Sequence, residues 1–262
     1  MSATQKPEKT SILCNVRNAL KQNPPNIEEA IARIHENWSK EASRSRQNWR
    51  SKVIPLQTKS GYKSSPKWEH SEVLIERSIV EKCSDRLNKH SDSLCLWNQM
   101  PVASGLLPKH DANNPNKHTP SEGRRAIDLV YRPGGPNGPI EFLELKVVRR
   151  DGSRDSLRDA ALELLEYGVL YLFSRKYLVG LGYDLSCSVL HAPSIRLRVL
   201  GPSSYYSGQI IGTFPTEATN TALRNFIANN SFGNLEMDIG FEVLADGDDW
   251  HSRFTGKAAW LG

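Results

Sequence analysis

Two short apolar segments separated by a run of turn formers constrain this chain more than anything else in it. Ile127-Asp128-Leu129-Val130 is followed by Arg132-Pro133-Gly134-Gly135-Pro136-Asn137-Gly138-Pro139, then by Phe142-Leu143-Glu144-Leu145-Lys146-Val147. The middle run is too dense in Gly, Pro and Asn for a helix and reads as a turn. The plainest outcome is an antiparallel hairpin with Asp128 and Glu144 on neighbouring strands. Side chains in a strand alternate between faces. Glu144 and Lys146 therefore point one way and Leu143, Leu145 and Val147 the other, while Asp128 shares a face with Ala126 and Val130. Buried charge is costly unless it is paired or holds a metal. An Asp, a Glu and a Lys converging on one place suit a divalent cation beside a phosphate. The competing reading is a pair of salt-bridged strands with a solvated face, but the flanking apolar residues point to burial on both faces.

Around this hairpin the chain reads as alternating helices and strands. Ile12 to Gln22 suits a short helix stopped by Pro24-Pro25, and Asn26 can cap a second helix from Ile27. Ile27, Ala30, Ile31, Ile34 and Trp38 fall at helical spacing and give that helix an apolar face. Ser71 can cap a helix running to about Leu87, on which Glu72 and Glu76 lie one turn apart. Leu94 to Val102 reads as the first strand. A polar loop, Gly105 to Gly123, then leads into the Asp128 strand. After the Glu-X-Lys strand a strong helix is expected from Ser156 to about Phe173, with Leu157, Ala161, Leu164, Leu165, Gly168 and Leu172 on one face. Ile195 to Leu200 alternates cleanly and reads as a fourth strand. Thr219 to Asn229 suits a helix and Asn234 to Leu244 a further strand.

Asp128, the Glu144-Leu145-Lys146 triplet and the Glu-bearing helix upstream resemble the PD-(D/E)XK nuclease superfamily, its bacterial members in particular. The resemblance runs from about Glu69 to Val243. An acidic-X-Lys triplet is frequent by chance, and the order helix, strand, Asp strand, Glu-X-Lys strand, long helix is what makes it specific. Ala126-Ile127 precedes Asp128 without a Pro, a departure that the superfamily tolerates. The resemblance implies an α/β fold: a restriction-endonuclease-like core with a mixed β-sheet flanked by helices. Residues 67–262 would form that domain, and residues 1–66 an N-terminal helical and basic extension.

The resemblance also implies a function. The chain would be a metal-dependent hydrolase of phosphodiester bonds, a nuclease acting on DNA. Asp128 and Glu144 would hold Mg²⁺, with Mn²⁺ able to substitute, and the Leu145 carbonyl would add a ligand. Glu72, or Glu76 close behind it, would complete the shell. Lys146 would orient the attacking water or stabilise the charged transition state. Some superfamily members carry a Gln and a Tyr on the long helix near the active site; Glu163 and Tyr167 stand at that spacing here, with Glu replacing the Gln. Surface acids on an amphipathic helix and residues flanking a core face are the alternatives for Glu72, Glu76, Glu163 and Tyr167. A catalytically inactive module of the same fold, binding nucleic acid or a protein partner, is the alternative function. A metal-dependent enzyme of another phosphate ester is a third.

Composition narrows the partners. The net charge is +5 with an isoelectric point near 9.0, a mild bias that suits contact with polyanions. The bias is concentrated between Lys40 and Lys67, where eight basic residues face a single acid, Glu41, with Trp49 and Tyr62 interleaved. Arg44, Arg46, Arg50 and Lys52 in this stretch read as phosphate contacts or as a solvated basic linker. Arg124 and Arg125, at the start of the Asp128 strand, carry the same two readings. The four cysteines, at 14, 83, 95 and 187, have no zinc-ligand spacing. No apolar run is long enough to span a bilayer, and the polar N-terminus has no signal-peptide core. A cytoplasmic protein without membrane contact is expected. A homodimer suits double-strand cutting, although no residue pattern specifies one, and no base-reading motif separates DNA from RNA.

Overall fold

The computed structural model describes residues 12–40, 71–72, 74–80, 96–101, 126–133, 138–181, 188–209, 211–244, 250 and 252–255. Its centre is a five-stranded mixed sheet in sequential order. The strands are β1 (Leu96–Pro101), β2 (Ala126–Tyr131), β3 (Ile140–Leu145), β4 (Ser194–Pro202) and β5 (Glu236–Leu244). The first three pair antiparallel, with Leu96 opposite Tyr131 and Leu129 opposite Leu143. The last three are parallel, with Ile140 beside Ile195 and Ser194 beside Glu236. Each parallel connection carries a helix, the usual form of a crossover: α4 (Leu157–Leu181) between β3 and β4, and the short α5 (Ser203–Tyr206) followed by α6 (Thr216–Asn229) between β4 and β5.

Strand β3 is the middle strand, and every one of its residues is buried. Its alternation splits the apolar core in two. Ile140 and Phe142 join Ile195, Leu197, Val199, Met237 and Ile239 in the larger cluster, which α4 and α6 complete. Leu143 and Leu145 join Leu129, Tyr131 and Leu200 on the other side. There Ile75, Ile79 and Val80 of the helical residues 74–80, here α3, close the layer together with Trp250 and Phe254. The short C-terminal helix α7 (Ser252–Thr255) is fastened by Arg253, which donates to Glu141 at 2.6 Å and to Glu242 at 2.7 Å. The fold is thus a mixed sheet covered by helices on both faces.

Helix α4 differs from expectation in length and burial. Its start is as read: the Ser156 hydroxyl accepts the Asp159 amide at 3.0 Å, a side-chain N-cap. It continues to Leu181, past Phe173, with non-helical angles at Tyr177. It is also buried beyond the single face that its spacing suggests, since Leu162, Val169, Leu170, Tyr171 and Phe173 are inside as well. The reason lies in α1 (Ile12–Leu20) and α2 (Ile27–Lys40). Val16, Ala19, Leu20, Ile27, Ala30, Ile31 and Ile34 share the larger cluster with α4, so these two helices cover its outer side. Asn26 caps α2, its side-chain oxygen accepting the Glu29 amide at 3.0 Å. The link between α1 and α4 includes an ion pair of 2.5 Å from Arg17 to the buried Glu166.

Gly168 lets α4 lie close against the sheet. A Cβ there would stand 2.7 Å from Cδ1 of Leu197 and 3.5 Å from Sδ of Met237. Gly168→Val is therefore expected to destabilise the fold by about 1–3 kcal/mol through overpacking, read as a lowered urea midpoint with an unchanged slope.

Candidate active site

The β2–β3 ladder stops short, and the site begins where it stops. Pairing runs from Tyr131 opposite Glu141 to Leu129 opposite Leu143. Two residues further, the same register would set Ile127 opposite Leu145. Instead the Leu145 amide donates to Oδ2 of Asp128 at 3.0 Å. A side-chain carboxylate has taken the place of a backbone carbonyl, so the donor stays satisfied while the strands part. On its other edge the backbone keeps its pairing one residue further, the Lys146 amide donating to the Leu200 carbonyl at 2.9 Å. Lys146 thus lies just past the end of β3 rather than within it.

Lys146 is the hub. It is 4% exposed, and its ammonium donates to Oε1 of Glu144 at 2.8 Å. Two more carboxylates stand around it, Oδ2 of Asp155 at 3.6 Å and Oε2 of Glu72 at 3.7 Å. Burial opposes its charge, but Glu144 and Glu72 outweigh that, and the ammonium is held above its ordinary pKa.

The acids are displaced in the opposite direction. Burial lifts the Asp128 carboxyl to about 7; the Leu145 amide works against the lift, and the nearby Glu76 adds to it. Burial also raises Glu144 well above the carboxylate range, with the charge of Asp128 next and Lys146 opposing. Glu72 is raised by burial too, with Lys146 opposing. Oε2 of Glu144 is buried without a hydrogen-bond partner. Two desolvated carboxyls, the charge of Asp128 raising Glu144, are the arrangement a divalent cation relieves.

The residues singled out in the sequence fall into three groups. Asp128, Glu144, Lys146 and Glu72 come together. Glu76 is 3% exposed and acts on Asp128; Glu72 reaches Lys146 and acts on Asp128 as well, more weakly than Glu76 does. Glu163 and Tyr167 lie beside it. The Tyr167 hydroxyl donates to Oε1 of Glu163 at 3.3 Å, and the charge of Glu163 is felt at both Glu144 and Lys146. Arg44, Arg46, Arg50, Lys52, Arg124 and Arg125 lie outside the described residues.

Asp155 is the residue that sequence reasoning missed. It enters from the loop between β3 and α4, where the only local signal is an acid just before the helix cap Ser156. The structure fixes it from three sides. Its carboxylate accepts from Arg149 at 2.8 Å, its carbonyl accepts the Tyr205 hydroxyl at 3.0 Å, and the neighbouring Arg154 donates to the carbonyls of Ser204, Tyr205 and Ser207.

The chemistry of the donors decides which metal fits. Among the described residues no group of three or more His, Cys, Asp or Glu is disposed to hold a metal ion. Two hard carboxylates, one with an orphaned buried oxygen, fit an ion that keeps several waters, as Mg²⁺ does. None of the described helices is long and apolar enough to cross a membrane. Comparison with family models, with curated proteins and with solved structures returns no match.

The raised Asp128 carboxyl makes stability depend on pH without metal. The folded state keeps this proton from the ordinary 3.8 up to about 7, whereas the unfolded chain has already lost it. Folding therefore loses stability as pH climbs through that window. Asp128→Asn removes the group, so in EDTA the variant's stability relative to the parent is expected to rise by a few kcal/mol between pH 4 and pH 7. Urea midpoints across that range check it. A constant difference between the two proteins would contradict the assignment.

Proposed function

We propose that this chain is a metal-dependent nuclease of the PD-(D/E)XK type, hydrolysing phosphodiester bonds in DNA. One observation carries the reading. At the point where two antiparallel strands part, Asp128 and Glu144 offer buried carboxyls beside the lysine Lys146, and Oε2 of Glu144 has no partner. The order of elements supports it: an acid-bearing helix, a strand, the Asp strand, the Glu-X-Lys strand, a long helix and a parallel strand. Charge is costly to keep in a core. A fold that needed these strands only as architecture would be as stable with apolar residues there.

Asp128 and Glu144 would hold Mg²⁺ or Mn²⁺, with the Leu145 carbonyl as the backbone ligand that the resemblance implies and Glu72 or Glu76 completing the shell through bound water. Bound there, the cation supplies Lewis acidity toward the scissile phosphate and lowers the pKa of water. The remaining work belongs to the chain. The Lys146 ammonium, held by Glu144, Asp155 and Glu72, is oriented before substrate arrives and keeps its proton. It stabilises negative charge growing on the phosphoryl oxygens without reorganising. The Asp128 and Glu144 carboxyls give up their protons as substrate and cation assemble. Glu163, whose charge is felt at both Glu144 and Lys146, flanks the site together with Tyr167.

Cleavage of a supercoiled plasmid and of a single-stranded oligonucleotide, in Mg²⁺, Mn²⁺ or EDTA, tests this. Cutting is expected with either metal and not in EDTA. Glu144→Gln and Lys146→Ala are each expected to reduce it by at least about a thousandfold, the scale of losing a transition-state stabiliser, while both proteins still unfold cooperatively. Undiminished cutting by Lys146→Ala would refute the assignment. Salt-sensitive binding without cutting in any metal would favour a binding module of this fold.

A further inference from the structure

The centre has an excess of acid that a polyanion must overcome. Asp128, Glu144, Glu72, Glu76 and Asp155 gather there, against the cations Lys146 and Arg149. Lys146 is enclosed by three of those acids and nearly inaccessible. Arg149 is not. Its side chain is 49% exposed, and Nη2 spends one contact on Asp155, leaving most of its fork of donors directed to solvent.

Arg149 is also held in place, unlike a surface arginine on a mobile stem. It opens a tight turn closed at both ends: the Gly152 amide donates to the Arg149 carbonyl at 2.9 Å, and the Arg149 amide to the Ser153 carbonyl at 2.8 Å. Gly152 has φ +78°, the left-handed conformation that favours glycine. Asp151 steadies the far side, accepting from the amide and the hydroxyl of Ser153 at 2.9 and 2.6 Å. The turn presents Arg149 and Arg150, both exposed, next to the centre. Asp155 ties it there, with one carboxylate oxygen on Arg149 and the other 3.6 Å from Lys146.

We infer that Arg149 binds a backbone phosphate of the substrate strand adjacent to the reacting one, and that Asp155 is the positioning residue that holds Arg149 and Lys146 in fixed relation. This rests on the nuclease reading. A planar guanidinium suits a phosphate's oxygens, and an aspartate that already orients it lowers the entropy lost on contact. The Arg149–Asp155 pair is partly exposed and of little worth to stability, so its removal reads out on substrate rather than on folding.

The test is binding of a labelled DNA duplex in Ca²⁺ over a range of salt, with cleavage of the same duplex in Mg²⁺. Arg149→Ala is expected to weaken binding about tenfold and to flatten the dependence of affinity on salt by about one phosphate contact. It should raise KM more than it lowers kcat. Arg149→Lys should restore the salt dependence. Asp155→Asn takes a negative charge from the centre, which by itself would tighten binding. Weaker binding nonetheless, by less than in Arg149→Ala and no further once Arg149 is alanine, is expected from the positioning role, together with a larger loss of kcat, through Lys146. Cleavage by the parent protein with unchanged affinity and salt dependence in Arg149→Ala would overturn this inference and leave the nuclease reading standing. Binding without cutting, still lost in Arg149→Ala, would keep the phosphate contact and overturn the nuclease. A parent protein that neither binds nor cuts would overturn both.

Discussion

A buried ammonium facing three carboxylates organises this molecule. Lys146 sits where β3 ends, and each of its partners arrives from a different part of the chain: Glu144 from the strand itself, Glu72 from the helical segment before the sheet, Asp155 from the loop before α4. One charge therefore fixes three elements relative to each other. The arrangement tolerates burial because each acid both neutralises the lysine and is stabilised by it. Asp128 stands just outside this set, satisfied by a backbone amide rather than by Lys146. Burial raises the pKa of Asp128, and the Leu145 amide works against that lift.

The sheet makes this economical. Strand β3 is buried on both faces, so any polar side chain on it must be satisfied inside the protein. By parting from β2 after Leu129, it opens a gap at one end while β4 continues to support the other edge. Helix α4 packs across the same end, kept close by Gly168, and brings Glu163 and Tyr167 alongside. The N-terminal helices hold α4 down from outside. Apart from Asp155, which the loop before α4 supplies, the site is built on strand ends and helices, rigid elements that fix side chains better than loops do.

Much of this was legible in the sequence, for a physical reason. Asp128, Glu144 and Lys146 stood out because each interrupts an apolar strand pattern, and a buried interruption requires a partner. The strands and the cap at Asn26 followed from alternation and capping chemistry. Which helix acid reaches Lys146 was not legible, since residues one helical turn apart share a face until a tertiary partner distinguishes them. Asp155 was hidden because its role depends on the chain returning past Lys146 after the loop, which no local pattern encodes. The full burial of α4 was hidden likewise, since its outer face is covered by helices distant in sequence. The basic stretch from Lys40 to Lys67 lies almost wholly outside the described residues, and its two readings stand as the sequence left them.

The central claim is that Asp128 and Glu144 form one cation site. Calorimetric titration of Mn²⁺ into the nucleic-acid-free protein at pH 6.5, in buffers of different ionisation enthalpy, addresses it without relying on cleavage. The account expects saturable binding accompanied by proton release, because carboxyls with raised pKa must lose protons to bind, and it expects both signals to vanish in Asp128→Asn and in Glu144→Gln. Unchanged binding in those variants, or binding without proton release, would contradict it.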